Sequence, residues 1–276
     1  MKPAPFDYVA AASLEEAVAA LAAAEGEARV LAGGQTLGPM LNMRLAMPSR
    51  LVDVGRIASL KRIGESGTKL VIGSGVTHAM LEDRSDPSPT VRLMCQVAST
   101  IAYRAVRTRG TIGGSLAHAD PAADWITALM LLEAELTILG PPGRRTVPMR
   151  DFMRGAFATA LGPADVLEAI ALVKLSPKAR WGYCKLARKS GEFADALGAV
   201  VLDPARALAR IVVGALGGAP LSLPVLAERV AREGSGAATF ENAREAVATA
   251  APGLDAVDLQ LHSAAVRRAI LQALAS

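Results

Sequence analysis

Apolar positions along this chain recur with two periods, and the switches between them mark its elements. Leu14, Val18 and Leu21 share one face at helical spacing, directly behind Ser13-Leu14-Glu15-Glu16. That tetrapeptide is a capping box, in which the Ser13 hydroxyl takes a helix N–H and Glu16 reaches back. The pattern predicts a helix from residue 14 to about residue 24, packed on a strand at Ala28–Leu31, with a further strand at 51–54. A short strand at 69–72 leads into Gly73-Ser74-Gly75-Val76-Thr77-His78. Met94, Val97, Ala98 and Ile101 form the buried face of a helix predicted over 91–105, and a second apolar helical run covers 122–134. Strands at 136–139 and 145–147 flank the turn Gly140-Pro141-Pro142-Gly143 as a hairpin, and Val166–Val173 reads as another strand.

Ser176-Pro177 breaks the pattern. Beyond it come strands at 181–186, 197–202 and 207–213, followed by Ala-rich helices. The last covers 258–275, with Leu261, Ala265, Ile270 and Leu274 opposite Arg267-Arg268. This organisation divides the chain into units at 1–57, 58–175 and 176–276.

Two segments interrupt the apolar pattern with paired glycines. In Thr111-Ile112-Gly113-Gly114-Ser115 the absence of a Cβ leaves the backbone free to take positive φ, which would turn successive N–H groups into an anion nest. With an apolar helix behind it, the nest suits a phosphate. Asp124, the first-turn carboxylate of that helix, is placed to accept from a sugar-like hydroxyl chain. Ala32-Gly33-Gly34-Gln35-Thr36 repeats the theme after the strand at Ala28–Leu31, so the chain offers cradles for two phosphates. The Gly73-Ser74-Gly75 turn lacks the third glycine and the later acid of a dinucleotide fingerprint; it reads as a strand-to-helix turn able to lend amides to the same pocket.

Composition narrows the function classes. The chain has 276 residues, 51% of them hydrophobic, enough for a well-buried core. A net charge of +4, with basic residues dispersed and aromatics at 4%, argues against nucleic-acid binding, which needs a basic stripe and stacking platforms. The longest uncharged run is interrupted by Pro220 and Pro224, so no membrane span is expected, and the polar N-terminal residues favour the cytoplasm. Cys95 and Cys184 are too few for a four-thiolate cluster, and His78, His118 and His262 show no ligand spacing, so no metal site is expected. No nucleophile lies beside a base, and no catalytic residue is assigned.

The two glycine motifs, with Ala119-Asp120-Pro121-Ala122-Ala123-Asp124 behind the second, closely resemble the FAD-binding medium subunit of molybdenum hydroxylases, the group of carbon monoxide dehydrogenase and xanthine dehydrogenase. The resemblance runs over nearly the whole chain. It implies an α+β fold: a two-part FAD-binding α/β domain of the PCMH type, similar to vanillyl-alcohol oxidase, followed by a C-terminal antiparallel sheet backed by helices. It implies FAD as cofactor and an oxidoreductase role exercised within a complex. In that complex a large subunit carries the molybdenum cofactor, a small subunit carries [2Fe-2S] clusters, and electrons pass on to an external acceptor.

By the same resemblance, Ala32, Gly33, Gly34, Gln35 and Thr36 and then Thr111, Ile112, Gly113, Gly114 and Ser115 hold the pyrophosphate and ribityl chain, with Asp124 on cofactor hydroxyls. Leu167 and Lys185 are implied at the isoalloxazine. Phe193 stands beside or over the ring, where relatives often carry Tyr. Thr36 replaces a common Ser and keeps its hydroxyl. Two other readings stay open from the residues alone: a freestanding flavin oxidoreductase of the same superfamily, and a non-redox scaffold whose flavin site is no longer used.

Overall fold

The computed structural model describes residues 2–276. The first elements are β1 (Asp7–Ala10), α1 (Leu14–Ala22), β2 (Ala28–Leu31), α2 (Leu37–Asn42) and β3 (Arg50–Asp53). The three strands form a parallel sheet in the order β1-β3-β2, with Leu31 opposite Asp53. The capping box is present: the Glu16 amide donates to Ser13 Oγ at 3.1 Å, and the Glu16 carboxylate accepts from the Ala12 amide at 2.7 Å. Leu14, Ala17, Val18 and Leu21 bury the face of α1 over this sheet, together with Leu139 and Val166 from the next one.

Next come β4 (Ile63–Ser66), β5 (Lys69–Gly73), α3 (His78–Glu82), α4 (Pro89–Ser99), α5 (Arg104–Arg107), α6 (Ile112–His118), α7 (Asp124–Leu131), β6 (Glu135–Gly140), β7 (Gly143–Pro148), α8 (Met149–Phe152), β8 (Met153–Gly155), β9 (Ala158–Thr159) and β10 (Val166–Val173). Strand β10 returns to the centre of a five-stranded antiparallel sheet, β4-β5-β10-β6-β7. The helix predicted over 91–105 is interrupted. Thr100 caps the helix end, Ala102 takes φ +44°, and the Arg107 guanidinium holds the carbonyls of Ile101 and Ala102 at 2.9 and 3.0 Å. Carbonyls freed at the helix end thus find a cation rather than another turn.

The C-terminal elements are β11 (Arg180–Leu186), β12 (Ala196–Asp203), β13 (Leu208–Gly214), β14 (Leu221–Ser222), α9 (Pro224–Glu233), α10 (Phe240–Ala250) and α11 (Ala256–Ala275). The strands make an antiparallel sheet in sequence order, and every residue of β12 is buried. That burial has two causes. On one face α11 lies so close that a Cβ on Gly198 would sit 2.5 Å from the Ala265 carbonyl; on the other, a Cβ on Gly214 would sit 1.9 Å from Thr127 Oγ1 of α7. Helix α7, apolar almost all round, is therefore enclosed between the middle sheet's core and the C-terminal sheet, with Trp125, Ile126, Ala128 and Leu129 fully buried. Its first residue is Asp124.

Candidate cofactor site

The first glycine loop leaves the C-terminal end of β2 and enters α2. Gly34 has φ +69°, a left-handed conformation that glycine takes without steric cost. Gly33 is small for a different reason: a Cβ there would meet the Arg109 carbonyl oxygen at 2.1 Å and Gly110 Cα at 2.8 Å. The loop therefore lies directly on the backbone that precedes Thr111, and two motifs far apart in sequence are brought together. Among the described residues, the amides of Gly33, Gly34, Gln35 and Thr36 have no intrachain acceptor. Exposed or half-buried amides without partners, turned by a left-handed glycine at the start of a helix, form an anion nest.

The second loop departs from its expected form. Residues 112–118 are helical, and neither Gly113 nor Gly114 has positive φ. Thr111 is the N-cap of α6, and its Oγ1 accepts from the Gly114 amide at 3.0 Å. The Ile112 amide donates to the Val76 carbonyl at 3.0 Å, that of Gly113 to the Ser74 carbonyl at 2.9 Å and that of Ser115 to the Thr111 carbonyl at 3.0 Å. These amides are consumed by the fold, so this segment is not an amide nest. Close packing explains the glycine: a Cβ on Gly113 would lie 2.4 Å from Ser74 Cβ. What the segment leaves open is the exposed Gly114 and the Ser115 hydroxyl, which has no intrachain partner among the described residues.

The Gly73–His78 turn is equally committed. Its amides at Ser74, Gly75, Val76 and His78 donate to the carbonyls of Glu168, Leu60, Gly73 and Gly110 at 2.8–3.1 Å. It supports α6 rather than lending those amides to a ligand. His78, 5% exposed, accepts on Nδ1 from the Trp125 indole at 3.0 Å, and Gly110 must be glycine because a Cβ would touch the imidazole at 2.9 Å. Burial first, and then the Arg107 charge, lower the His78 pKa from 6.5 to about 4. The neutral ring ties the turn to α7.

Asp124 and Lys185 meet in the seam between α7 and β11. The Asp124 carboxylate, 4% exposed, accepts from Thr100 Oγ1 at 2.9 Å and Tyr183 OH at 2.8 Å on Oδ1, and from Lys185 Nζ at 2.9 Å on Oδ2. Lys185 Nζ also donates to the Thr100 carbonyl at 3.2 Å. Its side chain is only 8% exposed although β11 is an edge strand. Burial, and next the Asp124 charge, hold the Tyr183 phenol well above its usual pKa, so it stays a donor. Thr100 and Tyr183 were not among the sequence candidates. The alternation along β11 carries part of the signal, because Tyr183 and Lys185 stand two residues apart on one strand face.

Phe193 is 60% exposed. Its loop leans on the same region: Gly191, at φ +83°, would place a Cβ 2.8 Å from the Ala102 carbonyl, and the Ala194 amide reaches the Ala122 carbonyl at 3.5 Å. Leu167 is placed differently. Its side chain is buried in the core beside the β-bulge of β10, on the central strand of its sheet. His118 meets the exposed Phe157 with the rings tilted by 52° and their centroids 5.1 Å apart.

Comparison with known proteins places this geometry. Residues 4–172 match the family model described as the FAD binding domain in molybdopterin dehydrogenase. The chain belongs to this family. It is 39% identical over 202 residues to the carbon monoxide dehydrogenase medium chain of Hydrogenophaga pseudoflava, covering 73% of this chain and 70% of that one. It is 35% identical over 220 residues to subunit alpha of the 6-hydroxypseudooxynicotine dehydrogenase complex of Paenarthrobacter nicotinovorans, covering 79% and 74%. Among solved structures, a Cu,Mo-CO dehydrogenase in its cyanide-inactivated form superposes with a TM-score of 0.90 at 32% identity, over 100% of this chain and 99% of that one. Quinoline 2-oxidoreductase from Pseudomonas putida 86 gives 0.88, also at 32% identity.

As a molybdopterin-dehydrogenase FAD domain, the chain is the flavoprotein subunit of an oxidoreductase, with FAD as its cofactor. The residues present fit that group. Unpartnered amides at 33–36 suit a pyrophosphate, the Ser115 hydroxyl can donate to it or to the ribityl chain, and a buried ammonium stands in the seam beyond. Among the described residues no group of three or more His, Cys, Asp or Glu is placed to hold a metal ion, and no helix is long and apolar enough to cross a membrane.

Proposed function

We propose that this chain is the electron-transfer subunit of a heterotrimeric molybdenum hydroxylase. It takes electrons from the [2Fe-2S] clusters of a small subunit, which receives them from a large subunit carrying the molybdenum cofactor, and delivers them to an external acceptor. The observation that carries this reading is the contact of the two glycine loops, with free amides on one and a free hydroxyl on the other. Bound FAD supplies a ring that accepts electrons singly and releases them singly or in pairs.

The chain's own residues do the rest. Amides of 33–36 take the pyrophosphate, where charge-assisted hydrogen bonds of roughly 1.5–3 kcal/mol each hold it. Gly114 and Ser115 form the facing wall, and the Lys185 ammonium favours negative charge on the ring. Phe193 covers the ring without a phenol to hydrogen-bond it. In this reading the units 1–57 and 58–175 enclose the cofactor and 176–276 supplies the seam, in a cytoplasmic complex. Exposed apolar side chains support an assembly: Met43, Leu45 and Met47 crowd one short loop after α2, and Tyr103, Phe157 and Phe193 are likewise uncovered. The names of the relatives, medium chain and complex subunit, agree with it.

The test is the visible spectrum of the chain purified with its native partners, followed by chromatography of the heat-released flavin. About one FAD per chain with iron–sulfur absorption is expected. A colourless complex overturns the proposal, and flavin without any partner or iron–sulfur signal replaces it with a freestanding flavoenzyme.

A further inference from the structure

Between the two glycine loops runs a segment that belongs to neither motif, residues 101–110. Its far end makes the contact itself, since a Cβ on Gly33 would meet the Arg109 carbonyl oxygen at 2.1 Å. Its placement depends on α3, a helix of five residues that grips it twice. At the first residue of α3 the His78 amide donates to the Gly110 carbonyl at 2.9 Å, and the preceding Thr77 bridges to Thr111. At the last residue the Glu82 carboxylate receives a two-pronged fork from Arg107, Nε on Oε2 at 2.8 Å and Nη2 on Oε1 at 2.9 Å. Arg104 Nη1 adds a donor to Oε2 at 2.6 Å. Nη1 of Arg107 turns the other way, to the carbonyls of Ile101 and Ala102, so one guanidinium folds the start of the segment and pins it to α3.

We infer that Glu82 and Arg107 are positioning residues for the cofactor: their fork holds the 101–110 segment at the spacing that lets the amides of 33–36 and the Ser115 hydroxyl reach one pyrophosphate. This inference rests on the flavin reading above and adds to it two residues outside both glycine motifs. A single grip at Gly110 would leave the segment free to pivot about it. The second grip, about 6 Å further along α3 at 1.5 Å per residue, removes that freedom. An arginine–carboxylate fork suits the task because it fixes orientation as well as distance. Four hydrogen bonds bind the Arg107 side chain, only 12% exposed, to its own chain. Ala102 beside it holds a left-handed backbone, a conformation that persists in alanine only where surrounding contacts over-determine it.

The experiment measures FAD affinity by reconstitution of the deflavinated complex with its native partners, together with its melting temperature and the potential of the bound flavin. Arg107→Lys keeps the charge but replaces the fork with a single ammonium, which cannot span Glu82 and two carbonyls. Glu82→Gln keeps the shape and removes the negative charge. Both should weaken FAD about tenfold or more, the worth of one charge-assisted hydrogen bond to the pyrophosphate. The potential should stay unchanged. Reduction alters the ring and not the pyrophosphate, so a wider cradle lowers the affinity for both redox states alike, and only a differential effect shifts an equilibrium.

Native affinity in Arg107→Lys would show that the charge alone suffices, and tighter binding in Glu82→Gln would show that Arg107 attracts the phosphates directly; either overturns the inference. A shifted potential overturns it too, because the effect would then lie at the ring. Gly198→Ala, which strains the contact of β12 with α11, controls for the fold. If it weakens FAD per folded chain as much at a similarly lowered melting temperature, the pair serves general stability and the inference fails. A native complex that takes up no FAD would instead overturn the functional reading itself, so the two failures are distinguishable.

Discussion

Substituting Gly33 by alanine adds one methyl group at the point where the two glycine motifs touch. The new Cβ would stand 2.1 Å from the Arg109 carbonyl oxygen, 2.7 Å from its carbon and 2.8 Å from Gly110 Cα. All three are backbone atoms, so no side chain can swing aside. The segments must part by about 1.3 Å, the difference between 2.1 Å and the 3.4 Å at which ordinary contact begins. Overpacking of this kind costs about 1–3 kcal/mol, which in a chain of this size lowers the melting temperature by roughly 5 °C. The larger effect falls on the cofactor. The free amides of 33–36 and the Ser115 hydroxyl belong to opposite walls, and a shift of about 1 Å takes a hydrogen bond from its optimum near 2.9 Å to a distance at which it no longer counts as one.

FAD retention after gel filtration should therefore fall at least about tenfold, more than the drop in melting temperature alone would produce. Gly38→Ala is the matched control. It lies in α2 at negative φ, with nothing but its chain neighbours within 4 Å of the added Cβ, so it should leave flavin content unchanged; the following Pro39 disfavours a helical alanine there and cancels the usual gain in stability. Full flavin occupancy and an unshifted melting temperature in Gly33→Ala would refute the claim that contact between the loops builds the site.

His78 makes stability depend on pH. Its folded pKa, about 4, lies below the ordinary 6.5, so the unfolded chain binds the extra proton first. The contribution is complete above pH 6.5 and is lost as pH falls toward 4. It amounts to about 2 kcal/mol by pH 5 and about 3 kcal/mol in all. Denaturant melts between pH 6.5 and 5 should show this slope, and His78→Gln should flatten it; an equal slope in the variant would remove His78 as its source. Gly198→Ala would place a Cβ 2.5 Å from the Ala265 carbonyl and lift α11 from the sheet, at a cost of about 3 kcal/mol. Because this contact lies on the α11 side of the sheet, flavin per folded chain should stay near the native value, and parallel loss of flavin and fold would show that the two faces are coupled.

The local part of this protein was legible in its residues. Helix α1 follows from its capping box and a three-to-four-residue apolar spacing, and β2 and β10 follow from short apolar runs bounded by turn residues. Each depends on neighbours within four positions, which is the range over which sequence periodicity reports structure. The paired glycines were also visible as unusual, and their combination pointed to the correct family and cofactor.

What the glycines are for was decided by tertiary contact. Gly34 supplies a left-handed backbone, as the motif suggests, but Gly33 and Gly113 are small because another segment's backbone or side chain lies against them, and the amides of α6 are spent on a turn far back in the chain. The break after α4 likewise depends on Arg107 reaching back to two carbonyls and on Thr100 serving Asp124. Asp124 reads in sequence as a first-turn acid placed for a ligand's hydroxyls, and folding encloses it under three donors drawn from two other elements. Sequence records which groups a segment carries. Whether an amide or a carboxylate is free to meet a ligand depends on which remote groups claim it first, and only the packed structure settles that competition.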